Sequence, residues 1–229
     1  MILSPGRNYL FIHIPKTGGT ALALALEARA MADDMMLGDT PKAKKRRRRL
    51  KGVKTAGRLW KHATLADIAG LRPAAELQRL FTFTLVRNPW DRAVSYYHWL
   101  QGQGFDHPAV ALAKALTFRD FILHPAILRS FAQHTAPSYM RHSDGTEQCQ
   151  LYIRLEHFAT DAVPLFDHLG FSLELKRENT SERQRDWRGY YQPDSQAALA
   201  RACQEEINRF EYSFNDFDLA LDQTRGSAD

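Results

Sequence analysis

The chain has 229 residues, of which 44% are hydrophobic and 11% aromatic, a composition that can fill a core and argues against a disordered protein. Its net charge of +5 is uneven, because 11 Lys and Arg residues and no acidic residue lie between Lys42 and Lys61, whereas the other 209 residues carry 20 basic and 26 acidic side chains. Two cysteines and no apolar run near the ~18 residues of a membrane span argue against a disulfide scaffold and a transmembrane protein.

The first predicted elements are a strand, a glycine turn and a helix. Tyr9–Ile14 is an apolar run rich in aromatic and β-branched residues, which indicates a buried strand. Pro15 ends it, Gly18 and Gly19 form a turn, and the Ala- and Leu-rich stretch 20–31 favours a helix. This order opens a parallel α/β unit.

The turn between this strand and helix predicts a phosphate site. Backbone N–H groups converge there, and the amino end of the helix adds partial positive charge. Lys16 supplies a cation, Thr17 and Thr20 supply hydroxyl donors, and Gly18 and Gly19 permit close backbone approach. The order is not Walker A, because the lysine precedes the glycines. The structural alternative is a plain tight turn.

Residues 38–61 are rich in Gly, Pro and charge without periodicity, which predicts an exposed, mobile loop. The basic run within it, 42–51, has three interpretations. It is a solvated loop, a clamp for an anionic acceptor such as an acidic polysaccharide or a phospholipid surface, or a nucleic-acid or localisation signal. Nucleic acid is not expected as a partner, because no aromatic residue is interleaved before Trp60.

A second strand–helix pair follows. The stretch 65–80 is predicted to be helical with a break at Pro73, and Phe81–Val86 reads as a buried strand. Asn88 can cap a helix that runs to about Gln101, with Pro at its first position.

Arg87 and Ser95 form a second candidate phosphate site. Arg87 ends the strand, where parallel α/β proteins gather ligand contacts, and its planar guanidinium suits a phosphate dianion. Ser95 lies about two turns into the helix and can point back toward Arg87. The alternative is an arginine in a structural ion pair and a hydroxyl on the helix surface.

The remaining stretches complete an α/β pattern. Further predicted elements are short helices at 118–123 and 126–133, a strand at 151–155, a helix at 157–169 stopped by Gly170, a loop at 179–191 and a long helix at 194–210. The fold class is α/β, a P-loop NTPase-like doubly wound parallel sheet flanked by helices. We expect one domain over 1–229, because the strongest motifs lie far apart and have to build one site.

The two motifs together resemble those of PAPS-dependent sulfotransferases (EC 2.8.2 type), where PAPS is 3′-phosphoadenosine-5′-phosphosulfate. Pro15-Lys-Thr-Gly-Gly-Thr20 is similar to the 5′-phosphosulfate loop, and Leu85–Tyr97 to the 3′-phosphate segment. The similarity is to the branch with heparan and other carbohydrate sulfotransferases and many bacterial proteins. It implies PAPS as donor, PAP as product, no required metal, and a hydroxyl acceptor on a carbohydrate or glycolipid.

The resemblance also implies a catalytic base. In this branch the base lies 20 to 25 residues before the second motif, and Trp60-Lys-His-Ala-Thr64 fits, so His62 is the candidate. It would take the acceptor proton while Lys16 stabilises charge on the oxygen that bridges sulfur and the 5′-phosphate. A structural role for His62 stays open, and Glu156 or Glu27 is the next base to test.

Later segments carry weaker signals. Arg154-Leu-Glu156 either orients Lys16 or His62 or forms an ion pair, and we favour the ion pair. His13 is expected to be packed or hydrogen-bonded, and His98 to line an acceptor cleft. A loop that resembles the nucleotide cover carries Asn179-Thr-Ser181, Arg183, Arg185, Trp187 and Tyr191. Either aromatic residue stacks on adenine or packs in the core.

Two other functions compete with sulfuryl transfer. A P-loop kinase-like transferase would place a lysine after the glycines and an acidic residue at a strand end, and neither is evident. A non-catalytic polyanion-binding protein on a nucleotide-binding fold would have lost the residues that are intact here. With few cysteines and an N-terminal stretch that lacks the apolar core of a signal peptide, the expected setting is the cytoplasm of a bacterium.

Overall fold

A computed structural model of the chain describes residues 1–176, 183–184 and 186–216. The chain divides into two compact units, each built from two separate stretches of sequence. The first consists of Met1–Val86 and Ala136–Thr180, and the second of Arg87–Thr135 and Ser181–Asp229, so far as these are described. The single domain over 1–229 stays a prediction.

The first unit contains a five-stranded sheet. Its strands are β1 (Ile2–Ser4), β2 (Tyr9–Ile12), β3 (Met35–Met36), β4 (Phe81–Val86) and β5 (Leu151–Arg154), in the spatial order β3-β1-β2-β4-β5. β2, β4 and β5 are parallel, whereas β1 and β3 add to one edge in antiparallel orientation. The predicted α/β fold with a helix-flanked sheet is confirmed, but the sheet is mixed and not wholly parallel. β1 returns beside β2 because Asn8 adopts a φ of 53° in the turn from Pro5.

The α-helices flank this sheet or build the second unit. In chain order they are α1 (Gly19–Ala28), α2 (Pro41–Arg46), α3 (Ala74–Arg79), α4 (Pro89–Gln101), α5 (Pro108–Ala115), α6 (Phe118–Leu123), α7 (Pro125–Gln133), α8 (Ala136–Tyr139), α9 (Phe158–Asp161), α10 (Val163–Leu169), α11 (Pro193–Ala202) and α12 (Gln204–Phe210). Short 3₁₀ turns cover Arg47–Leu50, Leu155–His157 and Trp187–Tyr190. Among the described residues, no helix combines the length and the apolar character needed to span a bilayer.

Both faces of the central strands are buried. Phe11 and Phe83 lie on one face and pack with Leu22 of α1 in a single apolar cluster. Leu10 and Ile12 alternate with them along β2, point to the opposite face and are also fully buried. This two-sided burial explains why β2 and β4 are continuously apolar and were predictable from sequence.

The second unit is helical. The apolar stripe of α4 includes Trp90, Val94 and Tyr97, which pack in one cluster with Phe121 of α6 and Leu199 of α11. The predicted cap of α4 is confirmed, because the side chain of Asn88 accepts a hydrogen bond from the N–H of Trp90 at 3.1 Å.

The prediction of a loop over 38–61 is wrong in part, since the structure has α2 and a 3₁₀ turn at 41–50. Pro41 suits the first position of a helix, and Lys and Arg are good helix formers. Ala43 and Leu50, seven residues apart, are both buried and hold this segment on the first unit. Its predicted mobility stays a prediction.

Two predicted helices differ in extent. In the stretch 65–80 only 74–79 is an α-helix, because Pro73 precludes helical hydrogen bonding across it. The helix predicted over 194–210 is interrupted at Cys203, where the backbone leaves the helical region and α12 begins.

Candidate active site

The phosphate loop lies between β2 and α1 in the first unit. Thr17 Oγ1 donates to the carbonyl of Ile14 at 2.9 Å and closes the turn. Lys16 and Gly18 adopt φ values of 67° and 84°, and this left-handed geometry turns successive backbone N–H groups toward one side. The N-cap residue of α1 is Gly18, which has no side chain to cap the helix, and the N–H groups of Gly19 and Thr20 stand at the amino end of this ten-residue helix with its partial positive charge.

Neighbouring side chains leave room only for glycine in this loop. A Cβ on Gly18 would lie 2.7 Å from Leu155, and one on Gly19 would lie 2.1 Å from Cδ2 of His13. Neither glycine therefore carries a side chain that could cover the N–H donors of the turn, and a group with anionic oxygens suits such donors.

We expect Gly19→Ala to disrupt this loop. The added methyl group has to displace the His13 imidazole, and overpacking of this kind costs about 1–3 kcal/mol. Thermal unfolding should show a lower Tm, and titration with PAP should show weaker binding. Gly104→Ala is the matched control, because a Cβ there meets no atom within 4 Å, and equal effects of the two variants would contradict the packing argument.

His62 is held in the tautomer that a base requires. Its Nδ1 lies 2.7 Å from the carbonyl oxygen of His13. Because a carbonyl only accepts, Nδ1 carries the proton and Nε2 keeps its lone pair. The imidazoles of His13 and His62 contact each other edge to face with ring centroids 4.6 Å apart, and the indole of Trp60 lies 5.1 Å from His62.

Burial keeps both histidines neutral. Burial is the main cause that lowers the pKa of His62 to about 4; the hydrogen bond to His13 opposes this shift and the charge of Lys61 adds to it. Burial also lowers the pKa of His13 well below its ordinary value. His13 packs against Phe11, so the expectation of a packed His13 is confirmed.

The alternative base Glu27 is buried on α1 in a structural setting. Its carboxylate accepts a hydrogen bond from the Thr40 hydroxyl, and its carbonyl accepts one from Lys42. Arg46 donates to the carbonyl of Met31 at 2.6 Å. Part of the basic run thus binds the carboxyl end of α1, where cations are favourable.

In the second unit, Arg87 follows the last residue of β4 in sequence and pairs with Asp91. Its Nε and Nη2 lie 2.8 and 2.7 Å from Asp91 Oδ2. The other oxygen of Asp91 accepts a hydrogen bond from Arg183 at 2.7 Å. Two guanidinium groups share one carboxylate, so the group of three keeps net positive charge. Nη1 of Arg183 is buried without a hydrogen-bond partner among the described residues.

Ser95 is buried on α4, four residues after Asp91 and therefore on the same helix face. The structure thus brings Ser95 to the side of α4 that carries the carboxylate orienting Arg87. The sequence analysis did not predict that Arg87 and Arg183 share the carboxylate of Asp91. An Arg followed by Asp at i+4 is a usable signal, but Arg183 lies 92 residues further on and no local pattern joins it to Asp91.

Other residues named from sequence have packing or ion-pair contacts. Arg154 pairs with Asp161 at 2.8 Å, as the ion-pair reading predicts. Trp187 is buried and stacks parallel to Trp90, and the hydroxyl of Tyr191 donates to the carbonyl of Trp90 at 2.9 Å.

His98 is half-buried and contacts Tyr190 edge to face. Asn179-Thr-Ser181 and Arg185 lie outside the described residues.

A glycine turn between a parallel strand and the amino end of a helix is typical of α/β proteins that bind anionic phosphate groups. Comparison with known proteins gives the family: a sequence profile described as "Sulfotransferase family" matches residues 1–221. The chain belongs to this family, the PAPS-dependent sulfotransferases, and so is an enzyme that transfers a sulfuryl group to a hydroxyl-bearing acceptor.

A comparison with solved structures also gave a match. It is mouse sulfotransferase SULT7A1 complexed with PAP, with a TM-score of 0.47 and 17% sequence identity over 91% of this chain and 87% of that one. A search of curated proteins found no match.

Proposed function

We propose that the loop Lys16–Thr20 binds the 5′-phosphosulfate of PAPS. The observation that carries this proposal is the turn itself, in which Lys16 and Gly18 have left-handed backbone geometry and the N-cap residue of α1 is a glycine without a side chain. In this proposal the Lys16 ammonium group contacts the same phosphate as these donors. Fixed cations and N–H groups neutralise the leaving phosphate without a required metal.

Arg87 and Ser95 bind the 3′-phosphate in this proposal. Asp91 holds the Arg87 guanidinium in a fixed plane, which favours bidentate contact with phosphate oxygens. Arg183 adds a third donor, because its Nη2 binds the same carboxylate and its buried Nη1 has no hydrogen-bond partner among the described residues. The net positive charge of this group would attract a phosphate dianion.

His62 is the proposed general base. Nε2 takes the proton of the acceptor hydroxyl while its oxygen forms a bond to sulfur and the bond from sulfur to the 5′-phosphate oxygen breaks. Lys16 stabilises the negative charge that develops on that leaving oxygen. PAPS supplies the sulfuryl group when bound, and the protein contributes position, proton removal and charge stabilisation. The proposed acceptor is a hydroxyl of a carbohydrate or glycolipid.

Removal of the Arg87 side chain should selectively weaken the binding of nucleotides that carry a 3′-phosphate. Calorimetry without Mg²⁺ should show micromolar PAP binding, weaker binding of AMP, and a loss of more than tenfold in PAP affinity for Arg87→Ala, about 1.4 kcal/mol. AMP affinity should stay unchanged, because AMP lacks the phosphate that Arg87 contacts. Arg119→Ala, which removes an exposed ion pair with Asp194, is the matched control.

Three other results would fail to support this assignment. Equal loss of PAP and AMP affinity would indicate that Arg87→Ala disturbs folding, and Arg87→Lys then tests the charge with less disturbance of Asp91. Equal preference for ATP and PAP would favour a kinase-like transferase, and absence of PAP binding would favour a polyanion-binding protein.

A further inference from the structure

A cavity of about 220 Å³ lies in the first unit beside the segment that carries His62. Its wall combines the chain after β3, α2 with the following 3₁₀ turn, and the stretch 58–61. Pockets for drug-sized ligands measure about 300–1,000 Å³, so this cavity suits one small ring or headgroup and not a long chain.

The cavity opens next to the proposed base. Trp60 and Lys61 line it and directly precede His62 in sequence. The indole of Trp60 also contacts the His62 imidazole, with centroids 5.1 Å apart. A ring bound against Trp60 therefore lies next to a side chain that contacts His62.

The charge of the cavity is unbalanced in favour of cations. Arg47, Arg58 and Lys61 line it together with a single acidic residue, Asp39. Lys61 pairs with Asp39 at 2.6 Å, and this hydrogen bond holds the pKa of Asp39 below its ordinary value. Within the described part of the chain, neither Arg47 nor Arg58 lies within ion-pair distance of a carboxylate. Two guanidinium groups thus remain to attract an anion into a small cavity.

Trp60 gives the cavity an aromatic wall. Its side chain is 42% exposed, which is high for the largest apolar residue in a folded chain. The guanidinium of Arg58 lies over the indole with its central carbon 5.6 Å from the ring centroid, and this contact positions the cation beside the exposed aromatic surface. The C–H groups on one face of a sugar ring carry partial positive charge and pack against such a surface, while an acidic substituent at the ring edge reaches arginine.

We propose that this cavity binds an anionic monosaccharide unit of the acceptor. Arg47 and Arg58 pair with its carboxylate or sulfate, Trp60 packs against its ring, and one of its hydroxyl groups is presented to His62. This inference rests on the proposed function, because it takes His62 as the base, and it adds the acceptor site and the chemical class of the acceptor.

The cavity favours a saccharide over the other polyanions. Single-stranded nucleic acid is bound by a charged groove with several stacking residues, whereas this cavity has one aromatic side chain and room for one ring. Binding to a charged membrane surface uses many exposed cations in parallel and needs no enclosed cavity. The exposed Lys44, Lys45 and Arg48 outside the cavity would serve that purpose instead.

The test measures matched pairs of neutral and acidic saccharides on the PAP-saturated enzyme. The pairs are unsulfated chondroitin tetrasaccharide with its carboxyl-reduced form, sialyllactose with lactose, and galactose 6-sulfate with galactose. At least one acidic member should bind more than tenfold tighter than its neutral partner. Arg58→Ala and Arg47→Ala should each remove most of that preference. Arg48→Ala, an exposed cation of the same run that does not line the cavity, should keep it.

Each other outcome overturns the inference. Equal affinity for the acidic and neutral members of all three pairs would exclude a preference for an anionic acceptor. An equal loss in Arg48→Ala and Arg58→Ala indicates general attraction by the basic run. Arg58-dependent binding to phosphatidylglycerol vesicles, with no preference among the saccharides, assigns the cavity to a lipid surface. Failure of PAP itself to bind contradicts the proposed function, and it is measured first in the same titration.

Discussion

Replacing Lys16 by methionine should lower kcat by about 10²–10³-fold, the effect of removing one preorganised donor to a developing anion. Methionine keeps an unbranched side chain of similar length but loses the ammonium group. Lys16 has a φ of 67°, a backbone conformation that is sparsely populated by residues other than glycine and that places it within the turn before α1. The loss should fall on kcat more than on nucleotide affinity, because the charge on the leaving oxygen grows as the reaction proceeds.

The measurement is single-turnover transfer of label from [³⁵S]PAPS to pooled glycans, together with PAP titration. Lys114→Met is the matched control, since it removes an exposed lysine of α5. Lys16→Arg, which keeps the charge but not the shape, should recover part of the rate. An unchanged kcat together with weakened PAP binding would give Lys16 a role in binding alone.

The central strands and the phosphate loop were predictable because their signals are local. A strand that is buried on both faces reads as a continuous apolar run in the sequence. The glycine turn follows this run directly, so residues 9–20 were sufficient by themselves to predict both features. β1 and β3 have three and two residues, too few for any periodicity to show. They form because β1 pairs with the free edge of β2, and β3 pairs in turn with β1. The sequence gives no local signal for this pairing.

The contacts around each candidate site were less predictable. The role of Gly19 depends on the His13 ring that packs over it, and the approach of Arg183 to Asp91 depends on the fold of the second unit. Helix α2 was not predicted, because the basic run is dominated by charged residues. Its two buried apolar residues, Ala43 and Leu50, are too few to produce a visible periodicity.

One residue links the phosphate loop to the proposed base. The side chain of His13 packs on Gly19 of this loop, while its carbonyl accepts the hydrogen bond from His62. His13 is buried and neutral, so it acts through shape and its backbone and brings no charge to the loop. This arrangement sets both the tautomer of His62 and its position near the loop. The hydrogen-bond acceptor that does so is a backbone carbonyl and not a carboxylate. A neutral carbonyl raises the basicity of His62 less than a carboxylate would, which is consistent with its low pKa.

Replacing His62 by asparagine should lower kcat by about 10²–10⁴-fold, the range for loss of a general base. Asparagine can still donate a hydrogen bond to the His13 carbonyl, so Tm and PAP affinity should change little. His157→Asn, at an exposed histidine, is the matched control. A structural role for His62 would instead reduce Tm and leave kcat near the wild-type value, and Glu156 would then be the base to test.

The pH profile separates the base from any other role of His62. Burial disfavours the imidazolium, so the neutral form that accepts a proton persists down to pH about 4. kcat/KM should therefore stay level from neutral pH downward and fall as the pH passes through about 4, well below the ordinary histidine value. In His62→Asn this acid limb should disappear from the residual activity, while an Arg87→Ala variant should keep it. A limb near 6.5, or one that persists in His62→Asn, would show that another group takes the proton.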